Sequence, residues 1–175
     1  MNLVRAKRIS GWMTDKELEF LASTAQKSRM IIEIGSYYGR SCMAMADNTE
    51  GVVVSVDPYK GEYPTANGGI KLDFDEPVYH DFLYNLSEHI QARKVRQFRG
   101  VFADLPIFAA DFVFIDGDHS YEGCYADIKR AMQYVKTGVI AGHDWGQPGF
   151  PGVEKSVLEL LGKPNVVDSI WWVQR

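Results

Sequence analysis

The chain has 175 residues, 46% apolar and 24% charged, which fits one globular domain over 1–175 with enough apolar side chains for a full core. A net charge of −4 argues against nucleic acid as the main partner, because phosphate neutralisation needs a basic face. No apolar run approaches the ~18 residues of a membrane span and no h-region follows the N-terminus; with only two cysteines, Cys42 and Cys124, both inside expected helices, a reducing cytoplasm fits.

Residues 1–13 read as a basic, irregular lead-in, with Trp12 a hydrophobic anchor beside the helix cap in preference to a residue lining the cofactor pocket. Thr14-Asp15-Lys16-Glu17 is a capping box opening a helix to about residue 25, with Leu18, Leu21 and Ala22 on its buried side. The apolar run 30–34 predicts a buried strand, followed by a glycine turn to Gly39 and a helix from Ser41. Gly35 permits the tight turn, and Gly39 leaves room for a ligand or a close helix–strand contact. Residues 52–56 form the second strand, ended by Asp57-Pro58. The stretch 59–76, with its glycines and prolines, predicts a lid or substrate loop. A helix over 77–92 places Val78, Phe82, Leu83, Leu86 and Ile90 inward, and His80 and His89 toward solvent. Strands follow over 95–98, 111–115 and 139–141, with a helix to about 136 between the last two. A helix over 153–161 and two closely connected strands, 166–167 and 170–173, complete the chain. The alternation argues an α/β, single-domain, doubly wound Rossmann-like sheet, mostly parallel, with an antiparallel C-terminal edge strand.

The turn after the first strand carries the first chemical signal. A dinucleotide fingerprint needs G-x-G-x-x-G, but Tyr37 and Arg40 stand at the second and third glycine positions. A Tyr side chain obstructs the close approach of a pyrophosphate, which disfavours a nicotinamide cofactor. The pattern Glu33-x-Gly35-x-x-x-Gly39-x-Ser41 suits a ligand with a carboxylate and an amine. Free N–H groups at the helix start, with the Ser41 hydroxyl, can hold the carboxylate. The amino-acid end of S-adenosylmethionine is such a ligand. Asp57, 22 residues after Gly35, is about where an acid meets ribose hydroxyls.

Two further strand ends are unusually polar. Asp116, Asp118 and His119 follow the fourth strand, and His143 and Asp144 follow the fifth. In a doubly wound sheet these ends share one crevice with Gly35 and Asp57. The carboxylates suit Mg²⁺ or another hard divalent cation, and His143 widens the choice to Mn²⁺, Fe²⁺ or Zn²⁺. Asp118 or His119 is placed to take a proton from a substrate hydroxyl.

The motifs Glu33-Ile34-Gly35, Gly39-Arg40-Ser41, Val56-Asp57-Pro58, Phe114-Ile115-Asp116-Gly117-Asp118-His119 and Gly142-His143-Asp144 resemble the class I S-adenosylmethionine-dependent methyltransferases. They are most similar to the branch of macrolide and aminocoumarin sugar O-methyltransferases and cephalosporin hydroxylase-associated proteins. The resemblance implies that residues 35–41 hold the methionine end, Asp57 the ribose and residues 100–103 the adenine. Glu33, Gly35, Ser36, Tyr37, Gly39, Ser41, Asp57, Phe102 and Asp116 are thus the expected cofactor set. Asp116, His143 and Asp144 occupy metal-ligating positions, and Asp118 and His119 the catalytic ones. Where the family often has an acidic residue and a serine after the third strand, Val101 and Phe102 stand here, so stacking is expected to hold the adenine. His143 replaces an acid, which bears on metal identity. The expectation is O-methylation of a hydroxyl on a sugar or other small metabolite. A protein that keeps only the cofactor pocket is the alternative, and a homodimer is left open.

Overall fold

The structure, a computed structural model, describes residues 1–60 and 76–175. The loop expected over 59–76 lies, apart from its ends, outside the described residues.

Among the described residues, seven strands form one sheet in the order β3-β2-β1-β4-β5-β7-β6. The strands β1 (Met30–Ile34), β2 (Val52–Val56), β3 (Val95–Phe98), β4 (Phe112–Ile115) and β5 (Val139–Gly142) run parallel. The C-terminal strand β7 (Ile170–Gln174) runs against β5, and β6 (Asn165–Val167) pairs antiparallel outside it. The strands β1, β2, β4 and β5 are near-continuous apolar runs because helices cover both faces, whereas β3 carries exposed Arg96 and Gln97.

On one face pack α1 (Asp15–Ala25), α2 (Arg40–Ala46) and α3 (Glu76–Asn85), through Leu18, Leu21, Met45 and Phe82. On the other lie α5 (Tyr121–Tyr134) and α6 (Pro151–Leu161), through Ile128, Tyr134 and Val157, with the 3₁₀ turn Phe102–Asp104 beside them. Thr14 caps α1 as its sequence predicts: its Oγ1 accepts from Glu17 N–H at 3.3 Å, and Glu17 accepts from Thr14 N–H at 2.8 Å.

Three expectations need correction. The helix expected over 77–92 is two, α3 and the short α4 (Ser87–Gln91), joined at Leu86. His89 is buried, because its Nε2 lies 2.8 Å from Asp47 and 2.8 Å from Arg5. Trp12 does not anchor the lead-in by burial. It is 73% exposed, with its ring against Tyr37 at 5.1 Å between centroids.

Candidate active site

Four adjacent strands end on one level. Ile34 pairs with Val56 on one side and Ile115 on the other, and Ile115 pairs with Gly142. The residues one step further are Asp57, Gly35, Asp116 and His143, in the spatial order β2, β1, β4, β5. Their amides continue the ladder: Gly35 N–H donates to Val56 at 2.9 Å, Asp116 to Ile34 at 2.8 Å and His143 to Ile115 at 3.0 Å. With strands about 4.8 Å apart, ligand-capable groups form a row across the point where strand order reverses, between β1 and β4. That is where open α/β sheets bind ligands.

The turn after β1 is held from inside. Gly35 has φ +80°, and a Cβ there would fall 1.9 Å from the Asp116 carbonyl oxygen. Asp57 is buried, and its Oδ2 accepts from Ser36 N–H at 2.8 Å and Tyr37 N–H at 3.1 Å. Its Oδ1 accepts from Tyr59 N–H at 2.7 Å. Asp57 therefore ties the turn to the end of β2, a role the sequence did not signal. Gly39, at φ +87°, makes room for Leu86 and Phe82, 2.3 and 3.0 Å from where its Cβ would sit. The space at Gly39 is filled by side chains of α3 and of the joint that follows it, not by the helix–strand contact expected.

Beneath the turn, Glu33 is fully buried. Its Oε2 accepts from the Ser36 hydroxyl at 2.6 Å, which lies 2.7 Å from the Ser55 hydroxyl. Ser41 is also buried, against Glu33. Burial pushes the Glu33 carboxyl up to about 7, against the opposing hydrogen bonds of Ser36 and Ser41. The folded chain thus keeps this proton where the unfolded chain, titrating near 4.5, has lost it. The group's favourable contribution is complete below that value, declines as pH rises toward about 7, and changes no further above. Between pH 5 and pH 8 the loss is on the order of 2 kcal/mol. Thermal midpoints across this range should fall for the wild type and fall less for Glu33→Gln. An equal fall in both would show that Glu33 is not the group responsible.

A cleft of roughly 540 Å³ opens beside the row, within the range of small-molecule sites. Gly35 and Asp57 line one side, Val101 and Phe102 a second, and Asp118 and Asp127 a third. Glu33, Ser36, Tyr37, Gly39, Ser41 and Asp116 do not line it. The buried Phe102 ring is stacked on Tyr134 at 5.1 Å between centroids, while Val101 is half-exposed. Burial, reinforced by the charge of Asp118, pushes the Asp127 carboxyl up to about 7. Sequence patterning missed Asp127, since nothing marks one acid within an amphipathic helix as facing a cleft.

The polar strand ends meet in part. Asp116, His143 and Asp144 each present a donor atom, all within 4.8 Å of one another. His143 Nδ1 is 3.4 Å from Asp144 Oδ1 and 3.7 Å from Asp116 Oδ1. His119 Nε2 lies 2.7 Å from Asp144 Oδ2 and 3.6 Å from Asp116, off the line of a hydrogen bond, and its ring stacks on Phe150 at 4.5 Å. Burial disfavours charge on both rings, yet Asp116 and Asp144 outweigh it at His119, raising it to about 9, and with Glu17 they raise His143 to about 11. Asp144, at φ +64°, is held far below the usual carboxylate range by both histidines despite its burial. Non-glycine residues in this left-handed region concentrate at functional sites. Asp118 stands apart from this cluster. Its Oδ1 accepts from Ser120 N–H at 2.8 Å, and it belongs to the cleft wall.

An open parallel sheet with a cleft at its switch point and an acid–imidazole cluster beside it defines an enzyme-like site for a small ligand. The chain belongs to the methyltransferase domain family, whose model matches residues 32–145. A comparison with curated proteins gave no match. Among solved structures, cofactor-bound Rv0187 from MTB is similar with TM-score 0.70 at 17% identity, covering 98% of this chain and 86% of that one. The O-methyltransferase from Bacillus cereus in complex with SAH gives TM-score 0.66 at 17% identity, with 99% and 87% covered. CalS11, a TDP-rhamnose 3′-O-methyltransferase of calicheamicin biosynthesis, gives 0.63 at 13% identity, with 90% and 76% covered. At these identities the likeness establishes the fold. None of the described helices is long and apolar enough to cross a membrane.

Proposed function

We propose that the chain transfers a methyl group from S-adenosylmethionine to a hydroxyl of a small acceptor, a sugar or another small metabolite. The observation that carries this is the level row of Asp57, Gly35, Asp116 and His143, with the cleft opening beside it. The cofactor's adenosine occupies the cleft between Asp57 and Val101, and its methionine end meets the turn after Gly35. The acceptor oxygen attacks the methyl carbon in line. A C–O bond forms, the C–S bond breaks, and its electron pair returns to sulfur. Positioning provides most of the rate.

His119, beside Asp144 and flat on Phe150, takes the hydroxyl proton in its neutral form, which grows more abundant as pH rises toward about 9. Asp118, on the cleft wall, serves the cofactor side. The donor set of two carboxylates and one imidazole nitrogen fits a divalent cation, with Mg²⁺ less favoured than a metal that accepts nitrogen. Such an ion, held by Asp116, His143 and Asp144, would lower the acceptor hydroxyl's pKa.

The test is a screen of small hydroxylated acceptors with labelled methyl donor, with and without chelator, beside calorimetry with S-adenosylmethionine and NADH. The expected result is S-adenosylmethionine binding and label transfer to a hydroxyl. Binding without transfer to any acceptor would favour a cofactor-binding protein, and tight NADH binding alone would end the reading.

A further inference from the structure

Glu17 is an odd residue to bury. It sits in the first turn of α1, far in sequence from the polar strand ends, and is 1% exposed. Its Oε2 completes the capping box with Thr14 N–H. Its Oε1 does something the capping box does not require: it accepts from Ser169 N–H at 3.0 Å and from the Ser169 hydroxyl at 2.6 Å, and lies 3.3 Å from His143 Nε2. The Ser169 oxygen in turn lies 2.9 Å from His143 Nε2. Thr14 Oγ1, 2.9 Å from Asp168 Oδ2, fastens the same β6–β7 turn to the start of α1.

The protons in this network can be assigned by counting. A serine hydroxyl has one proton. The 2.6 Å contact to a carboxylate oxygen takes it, because a carboxylate can only accept. The Ser169 oxygen is then an acceptor toward His143, so Nε2 carries the N–H. The opposite nitrogen, Nδ1, faces Asp116 and Asp144 at 3.7 and 3.4 Å. With Nε2–H committed to Ser169, Nδ1 is the nitrogen that gives up its proton when a cation takes its place between the two carboxylates, and its lone pair then faces that cation.

We infer that Glu17 and Ser169 are positioning residues that fix His143 as the Nε2–H tautomer and aim its Nδ1 at Asp116 and Asp144, so that the three side chains form one cation site. The inference rests on the metal reading above. A carboxylate behind a ligating imidazole orients the ring and raises its basicity, and removing it commonly weakens metal binding 10–100-fold. Both residues lie outside the motifs at the strand ends. The site therefore needs α1 and the β6–β7 turn as well as β4 and β5.

The experiment titrates Mn²⁺ into the full chain and reads free Mn²⁺ by its electron paramagnetic resonance signal, for wild type, Glu17→Gln and Ser169→Ala. Gln at this position still satisfies a capping box, so Glu17→Gln keeps the helix start while removing the charge. The expected result is Mn²⁺ binding by the wild type, weakened at least tenfold in both variants, with S-adenosylmethionine affinity unchanged. If the wild type binds Mn²⁺ and Glu17→Gln binds it equally well, the positioning role is overturned and the metal reading stands. If the wild type takes no Mn²⁺, both fall.

Discussion

Gly35→Ala should cost more than about 3 kcal/mol of stability, or leave no folded protein to purify. Two independent penalties meet at this residue. Its φ of +80° lies in the left-handed region, where a Cβ costs roughly 1–2 kcal/mol. The Cβ would also fall 1.9 Å from the Asp116 carbonyl oxygen and 2.6 Å from its carbonyl carbon. Those are backbone atoms at the end of β4, with no side chain to swing aside. Relief requires β1 and β4 to part where Asp116 enters the site, so a surviving fold should lose cofactor affinity too. Thermal unfolding and calorimetry measure both losses. A variant within 1 kcal/mol of wild type would mean that the strand ends are not held as closely as described.

Asp144→Asn should lower turnover by about 10²-fold or more while leaving cofactor binding nearly unchanged. The substitution separates charge from shape. Asn tolerates the left-handed backbone that Asp144 adopts at φ +64°, so the turn is preserved. What it removes is the carboxylate that faces His119 at 2.7 Å and His143 at 3.4 Å. Asp144 is not part of the cleft wall, so the adenosine side should not register its loss. Single-turnover rates with a labelled donor, beside binding measured separately, distinguish the two effects. Unaltered turnover would remove Asp144 from the chemistry; an equal loss in cofactor binding would place it in the wrong half of the site.

The sequence carried the sheet because its signals are local. Apolar runs at 30–34, 52–56 and 112–115 end in Gly or Asp, and the chain's alternation of strand and helix leaves few ways to order them. The pairing of Asp116 with His143 and Asp144 followed from strand adjacency alone. What escaped were properties created by distant partners. His89 lies at helical spacing consistent with solvent exposure, and only Asp47 and Arg5 bury it. Glu17 reads completely as a capping residue, and its second role depends on Ser169, 152 positions away. Asp118 and His119 are adjacent in sequence yet diverge, one to the cleft wall and the other to Asp144. That divergence depends on side-chain direction at the start of α5, where Asp118 bonds Ser120 N–H.

The most direct test of the central claim is a structure of the protein with S-adenosylhomocysteine bound. Adenosine is expected in the cleft between Asp57 and Val101, the amino-acid end on the turn after Gly35, and the sulfur directed toward Asp116, His143 and Asp144. A product molecule seated elsewhere, or its sulfur turned away from that cluster, would contradict it.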